Sequence, residues 1–200
     1  MNLERFCVKF FARPSTNIDD TIFIEVFQEW IRLQKLDNVL IDIADYRHVP
    51  QGPGIMLLSH EVNYALDYAE GQFGLFAQRK VGSGDTASER LWELLRSVVT
   101  FGQLLETDPR VAGKFSLEGG RFQAMANDRL HAPNTAEAFE AWKAELAWVA
   151  SKLYPNQEVS ITRLENDPRA RLTAVINANR SVALRTLANR VKTWPGFGGL

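Results

Sequence analysis

The chain of 200 residues has little of several features that would narrow its function. Its single cysteine, Cys7, excludes an internal disulfide and a cysteine-based metal site, and its apolar neighbours indicate a small buried side chain in a reducing compartment. The formal net charge is only -1, so the protein as a whole has no field that would attract nucleic acid or an anionic membrane. No apolar run approaches a membrane span, and the first ten residues lack a signal-peptide pattern. We therefore expect a cytoplasmic protein that does not enter a membrane.

What is present is an ordinary globular composition, with 46% hydrophobic and 24% charged residues. This length and composition predict a single compact domain over residues 1–200. Patterns of apolar residues and turn signals predict a series of strands and helices along the chain. The predicted strands are 5–12, 39–46, a run from about 55 to 64, 73–81, 121–127, 159–163 and 172–176, and helices are predicted after residue 15, over 85–107, from an Asn134 cap to Tyr154, and over 181–191.

The two halves of the chain follow a similar order of strand, helix, strand, strand and helix. This order predicts an α+β fold with a mainly antiparallel sheet and helices packed on one face. It also suggests an internal duplication, 1–111 and 112–200, of a split βαβ unit related to the ferredoxin-like arrangement.

The candidate functional residues cluster on a predicted hairpin over residues 39–64. If Gln51 and Gly52 form its tip, Asp42 faces Glu61, and Asp45 lies diagonally from His60 on the opposite face. A carboxylate beside a half-buried imidazole would raise the basicity of that imidazole, which could then act as a general base or simply satisfy its own hydrogen bonds. This assignment depends on the register, because a slip by one residue exchanges the two faces.

Three further features of the hairpin could take part in binding. Asp42, Glu61 and His48 could form a hard-metal or acid/base site, although their spacing matches no known metal motif, and a polar solvated face explains them equally well. The tip contains Gly52 and Gly54, which would let the backbone approach a ligand closely. The candidate ligand-binding residues, with no metal ligands assigned among them, are therefore Asp42, Asp45, Tyr46, His48, Gly52, Gly54, His60 and Glu61.

The same segment resembles an uncharacterised bacterial family of hypothetical proteins. The resemblance rests on the run from Asp42 to Glu61, with Asp-Tyr-x-His-Val-x-x-Gly-Pro-Gly at residues 45–54 and His60-Glu61, and on Gly74 to Lys80 after it. It covers about a fifth of the chain. The resemblance implies no activity, cofactor or partner.

Two other patterns are weaker guides to partners. Gly82-Ser83-Gly84 fits a loose dinucleotide-binding pattern, but the strand before it is antiparallel in our prediction, so the cofactor stays unknown. Seven basic residues crowd the C-terminal part, namely Arg163, Arg169, Arg171, Arg180, Arg185, Arg190 and Lys192. Aromatic residues that could stack on bases are missing between them, so nucleic acid is an unlikely partner and solvated surface is the simpler interpretation.

The sequence therefore ranks three functions without deciding among them. The first is a small-molecule-binding or regulatory protein with a cleft near His48, His60 and the hairpin tip. The second is a metal-assisted or acid/base enzyme that uses the Asp, His and Glu side chains of the same hairpin. The third is a structural protein that self-associates as a homo-oligomer through an open sheet edge.

Overall fold

A computed structural model describes residues 3–81 and 84–192. These residues form eight strands, four α-helices and one short 3-10 helix, Ala69–Gly71. The strands are β1 (Phe6–Ala12), β2 (Leu40–Asp45), β3 (Ile55–Ser59), β4 (Val62–Asp67), β5 (Gly74–Arg79), β6 (Leu117–Ala126), β7 (Val159–Arg163) and β8 (Thr173–Ala178). The helices are α1 (Thr21–Leu33), α2 (Ala87–Thr107), α3 (Ala136–Leu153) and α4 (Leu184–Lys192).

The strands form one sheet in the order β2-β3-β4-β5-β1-β6-β8-β7, and every neighbouring pair is antiparallel. This confirms the predicted α+β fold with a mainly antiparallel sheet. Strands β1 and β6, which open the two halves of the chain, pair at the centre. The sheet therefore runs without interruption through both halves.

The four helices lie on one face of this sheet, because side chains alternate along each strand. In β1, Phe6 and Phe10 belong to the core beneath the helices, and the Phe6 ring stacks at 5.9 Å on Trp142 of α3. Lys9 and Phe11 point to the opposite face, on which the described chain places no α-helix. We call this opposite side the open face.

Aromatic packing joins the helices to the sheet. Phe101 of α2 stacks on Tyr64 of β4 with ring centroids 4.2 Å apart, and it meets Trp30 of α1 edge to face at 5.1 Å. All three side chains are buried. Such contacts add to the area burial that holds α1 and α2 on the sheet.

The predicted hairpin is wrong in its register and in its second strand. The apolar run after residue 54 is not one strand, because the chain turns at His60 and Glu61 and returns as β4. Ser59, which is fully buried, fixes this turn: its Oγ donates to the Val62 carbonyl and accepts from the Val62 N–H. In addition, β2 pairs with β3 so that Asp45 faces Ile55, three residues away from the predicted register.

The starts of two helices can be compared with the sequence patterns: Thr86 caps α2, where the sequence predicts a helix from residue 85. At the start of α2, a Glu89 carboxylate oxygen accepts from the N–H groups of Asp85 and Thr86, each at 2.9 Å. These two N–H groups of the loose dinucleotide pattern therefore already have a partner, while its Gly82 and Ser83 lie outside the described residues. Helix α3 is capped by Thr135 rather than by the predicted Asn134.

Candidate functional site

The acidic and histidine side chains predicted to meet on the hairpin lie at its opposite ends. Asp45 binds Arg47, whose Nε and Nη2 atoms donate to the two carboxylate oxygens at 2.9 and 2.6 Å. These hydrogen bonds lower the pKa of Asp45 to about 2. His60 lies on the turn beyond β3, roughly 15 Å from Asp45 by the rise of a strand. The predicted pair of Asp45 and His60 is therefore not formed.

The predicted cluster of Asp42, His48 and Glu61 is also separated. Asp42 faces Leu58, whereas Glu61 lies on the turn before β4 and accepts the Lys80 N–H at its main-chain oxygen. His48 lies in the loop at the other end of the hairpin, with its ring 6.3 Å from that of Tyr46. Within residues 3–81 and 84–192, no group of three or more His, Cys, Asp or Glu side chains is arranged to hold a metal ion.

The glycines of the tip have a structural role. Gly54 has a φ of 64°, and a Cβ atom there would lie 2.1 Å from the Leu66 carbonyl oxygen. The tip therefore lies directly against β4. Tyr46, Gly52 and Gly54 border a separate cavity of about 230 Å³.

On the open face, two strands that are not neighbours are joined by an ion pair. Lys9 of β1 donates from Nζ to the Asp67 carboxylate of β4 at 2.6 Å, and to the Ala69 carbonyl at 3.0 Å. The whole residues are only 3% and 6% exposed. An ion pair removed from water in this way requires close partners, since each unpaired charge would cost several kcal/mol.

The register of the sheet places polar and apolar side chains of other strands around Lys9. Gln123 of β6 and Phe76 of β5 lie directly beside it, and Met125 lies beside Thr173 of β8. Together with residues of neighbouring loops they line an open cavity of about 280 Å³, which we call the sheet-face pocket. Its lining comprises Lys9, Gln51, Pro53, Asp67, Ala69, Phe76, Gln123, Met125, Asn166, Ala170, Arg171 and Thr173.

Arg171 gives this pocket a cation without a carboxylate partner among the described residues. Its Nη1 donates to the Cys7 sulfur at 3.2 Å, and its guanidinium lies 5.6 Å from the Phe76 ring centroid. A thiol is a weak acceptor, and Cys7 is fully buried. Burial raises the pKa of Cys7 to about 11 although Arg171 lowers it, so the thiol is neutral at physiological pH.

Two loops from opposite halves of the chain form the rim of the pocket. The β2–β3 loop contributes Gln51 and Pro53, and the β7–β8 loop contributes Asn166 and Ala170. The second loop is fixed by Asn134, whose amide donates to the Asn166 side chain at 2.7 Å and to the Asp167 carbonyl at 3.2 Å. The amide oxygen of Asn134, which the sequence suggested as a helix cap, accepts from Arg163. The rim is therefore tied to the body of the protein.

A larger cavity, of about 480 Å³, lies on the helix side of the sheet between α1, α2 and the β3–β4 turn. Among its lining residues, Glu93 is paired with Arg96 at 2.8 Å, and the Tyr64 hydroxyl accepts from Asn38 at 3.2 Å. Burial raises the pKa of Tyr64 to about 12. Much of its polar lining thus has protein partners, and Glu61 is the one predicted site residue that it contains.

The sheet has two edge strands, β2 in the first half of the chain and β7 in the second, and an open edge in either half suggested self-association. At the β2 edge, Ile41 and the preceding Val39 are 56% and 62% exposed. However, the pairing is irregular between Leu40 and Asp42, and irregularities and charged side chains are the features that discourage edge-to-edge pairing. Self-association stays a prediction.

Sequence reasoning missed most of the sheet-face pocket. The sequence predicts a cleft beside the tip of the hairpin, but its candidate residues do not include five that line the pocket: Lys9, Asp67, Gln123, Arg171 and Thr173. One signal was available in β1, where Lys9 interrupts an otherwise apolar strand and so requires a buried partner. Arg171 was included only in the basic C-terminal group.

Comparison with known proteins adds no relative, since no protein-family description, curated protein or solved structure matches the chain. The resemblance to an uncharacterised bacterial family therefore stays a prediction. Within the described ranges, no helix has the length and apolar character needed to cross a membrane.

Proposed function

We propose that this protein binds a small molecule in the sheet-face pocket and does not transform it. The observation that carries the proposal is the buried pair of Lys9 and Asp67 at the wall of a cavity bordered by two loops. The cavity beside this pair combines apolar side chains with a few polar groups from several strands, as small-molecule sites do.

The groups in the pocket suit binding better than catalysis. The Lys9 ammonium has three N–H donors, and two of them are used by Asp67 and Ala69. The neighbouring thiol of Cys7 has a raised pKa, the opposite of what a nucleophilic cysteine needs. The described residues that line the pocket also include no histidine. Fixed donors and acceptors of this kind orient a ligand.

A thermal-shift screen of metabolites tests the proposal if it is run on the native chain and on a variant with a blocked pocket. A ligand present at 100 times its Kd stabilises the folded state by about 2.7 kcal/mol. Ala170→Phe should fill the cavity from the β7–β8 loop and abolish the shift. Ala112→Phe, in an exposed loop elsewhere, is the matched control and should retain it.

Three outcomes would overturn this function. The first is a screen in which no compound stabilises the native chain. The second is a compound that stabilises Ala170→Phe as much as the native chain. The third is a compound whose effect is lost when His48 and His60 are changed to alanine. The double alanine variant should bind as the native chain does, because neither histidine lines the pocket.

We also infer that the two halves arose by duplication of a split βαβ unit. The inference is supported by the strand order. In the first half, β1 and β4 are parallel with antiparallel β5 between them, and in the second half β6 and β7 enclose β8 in the same way. The pocket would then lie at the junction of the halves. A cytoplasmic location, which rests on the sequence alone, stays a prediction.

A further inference from the structure

We propose that the ligand of the sheet-face pocket is a small aromatic anion whose negatively charged oxygen atoms are bound by Arg171. This inference rests on the proposed function and names the chemical class that the pocket would accept. It is carried by the charges of the lining, the partners of Arg171 and the apolar wall beside it.

The charges of the lining leave one cation uncompensated. Among the described lining residues, the charged ones are Lys9, Asp67 and Arg171. Lys9 and Asp67 neutralise each other at 2.6 Å. The described lining therefore carries one net positive charge, and a ligand with one negative charge would balance it.

Arg171 differs from nearby arginines in the partners that the protein provides. Arg169 binds the Asp167 carboxylate at 2.8 Å, and Arg163 donates to the Asn134 amide oxygen at 3.2 Å. Arg171 instead has the sulfur of Cys7 and the face of Phe76, with no oxygen acceptor in the described part of the chain. A guanidinium has five N–H donors and matches carboxylate and phosphate oxygens in pairs.

The remaining walls favour a flat apolar body on the anion. Phe76 presents its half-buried ring, and Met125 lies one row away across the sheet. A flexible methionine side chain adapts to a ring packed against it, and an aromatic side chain stacks on such a ring or meets it edge to face. Since the cavity of about 280 Å³ is at the lower limit of ligand pockets, one ring with its charged group is the expected size.

Calorimetry with four single-ring probes tests the charge requirement on the native chain. The probes are phenyl phosphate, benzoate, benzyl alcohol and benzamidine. We expect phenyl phosphate or benzoate to bind at least ten times more tightly than benzyl alcohol, and benzamidine not to bind. Whichever anion binds more tightly identifies the phosphate or the carboxylate as the better group, and either result supports the proposal.

Variants of Arg171 test whether this side chain is responsible. Arg171→Gln should weaken binding of the preferred anion at least tenfold and leave benzyl alcohol unchanged, while Arg171→Lys should retain part of the affinity. Arg169→Gln is the matched control, because it removes a cation two residues away that does not line the pocket, and it should bind normally. Circular dichroism confirms that each variant is folded, and the probe comparison on the native chain needs no variant.

The results separate this inference from the function on which it rests. If neutral or cationic compounds bind in the pocket and the aromatic anions do not, the ligand class is wrong and the binding function stands. If Arg171→Gln binds the anions as tightly as the native chain, the role of Arg171 is wrong. If neither the probes nor the metabolite screen gives any binding, both proposals fail.

Discussion

Lys9 and Asp67 form an ion pair of 2.6 Å across an intervening strand, since β5 lies between the strands that carry them. The pair links β1, which lies near the centre of the sheet, to β4, and it forms part of the pocket wall. Its burial makes it sensitive to the loss of either partner.

Removal of Lys9 should therefore destabilise the fold strongly. Lys9→Met leaves the Asp67 carboxylate buried without its cation, which we expect to cost about 3–5 kcal/mol of unfolding free energy. Urea unfolding measures the change. Lys143→Met, which removes an exposed partner of Glu140, should change stability by less than about 0.5 kcal/mol. Equal losses in the two variants would show that the burial of Lys9 is not the cause.

Ser59 should be required for the turn between β3 and β4. Ser59→Ala removes both hydrogen bonds that its hydroxyl makes with Val62, at a cost of about 1–3 kcal/mol because these groups are buried. Ser160→Ala, at an exposed position in β7, should be nearly neutral. Equal midpoints of urea unfolding for Ser59→Ala and the native chain would contradict the assigned turn.

Gly54 should tolerate a side chain less well than another glycine with a positive φ. Ala at Gly54 or at Gly113 meets the same type of backbone strain, about 1–2 kcal/mol. Only at Gly54 does the new Cβ atom also meet a carbonyl oxygen, because nothing lies within 4 Å of it at Gly113. Thermal unfolding should give a clearly lower Tm for Gly54→Ala than for Gly113→Ala. A lower Tm for Gly113→Ala than for Gly54→Ala would contradict the close contact between Gly54 and the Leu66 carbonyl.

The thiol of Cys7 should make stability depend on alkaline pH. Its folded-state pKa of about 11 lies above the ordinary value of 9.0, chiefly because of burial. The unfolded thiol therefore ionises first, so this contribution to stability is fully present below pH 9.0 and is lost as the pH rises through about 11.

The measurement is urea unfolding of the native chain and of Cys7→Ala at neutral pH and near the folded-state pKa. The native chain should lose about 2 kcal/mol more than the variant over this interval. Subtraction of the variant removes the titration of other groups. Parallel losses in the two proteins would mean that the thiol ionises as easily in the folded state as in the unfolded one.

The helices and most strands were predictable because their apolar residues recur at the spacing of each element. In α1, Phe23, Phe27 and Trp30 form a stripe that faces the hydrophobic core of the protein, as their spacing indicates. The register of the hairpin was not predictable. The turn at His60 and Glu61 has no glycine or proline, and a buried serine side chain fixes it instead.

The pocket was less predictable than the fold because its residues are brought together by strand order. Cys7 and Arg171 are in contact although 164 positions separate them in the chain. The sequence shows only that Lys9 is a charge in an apolar strand. Which carboxylate neutralises it depends on β4 and β5 returning beside β1, and residue spacing does not encode that arrangement.

Methionine methyl NMR tests the central claim most directly, because Met125 lines the sheet-face pocket and Met56 lies on the same open face outside it. In a titration of methyl-13C-methionine protein with phenyl phosphate and with the compounds from the metabolite screen, a bound ligand should shift the Met125 signal and leave the Met56 signal in place. The Ala170→Phe variant should show no such shift. A compound that stabilises the protein without moving Met125, or a Met125 signal that no compound moves, would contradict binding in this pocket.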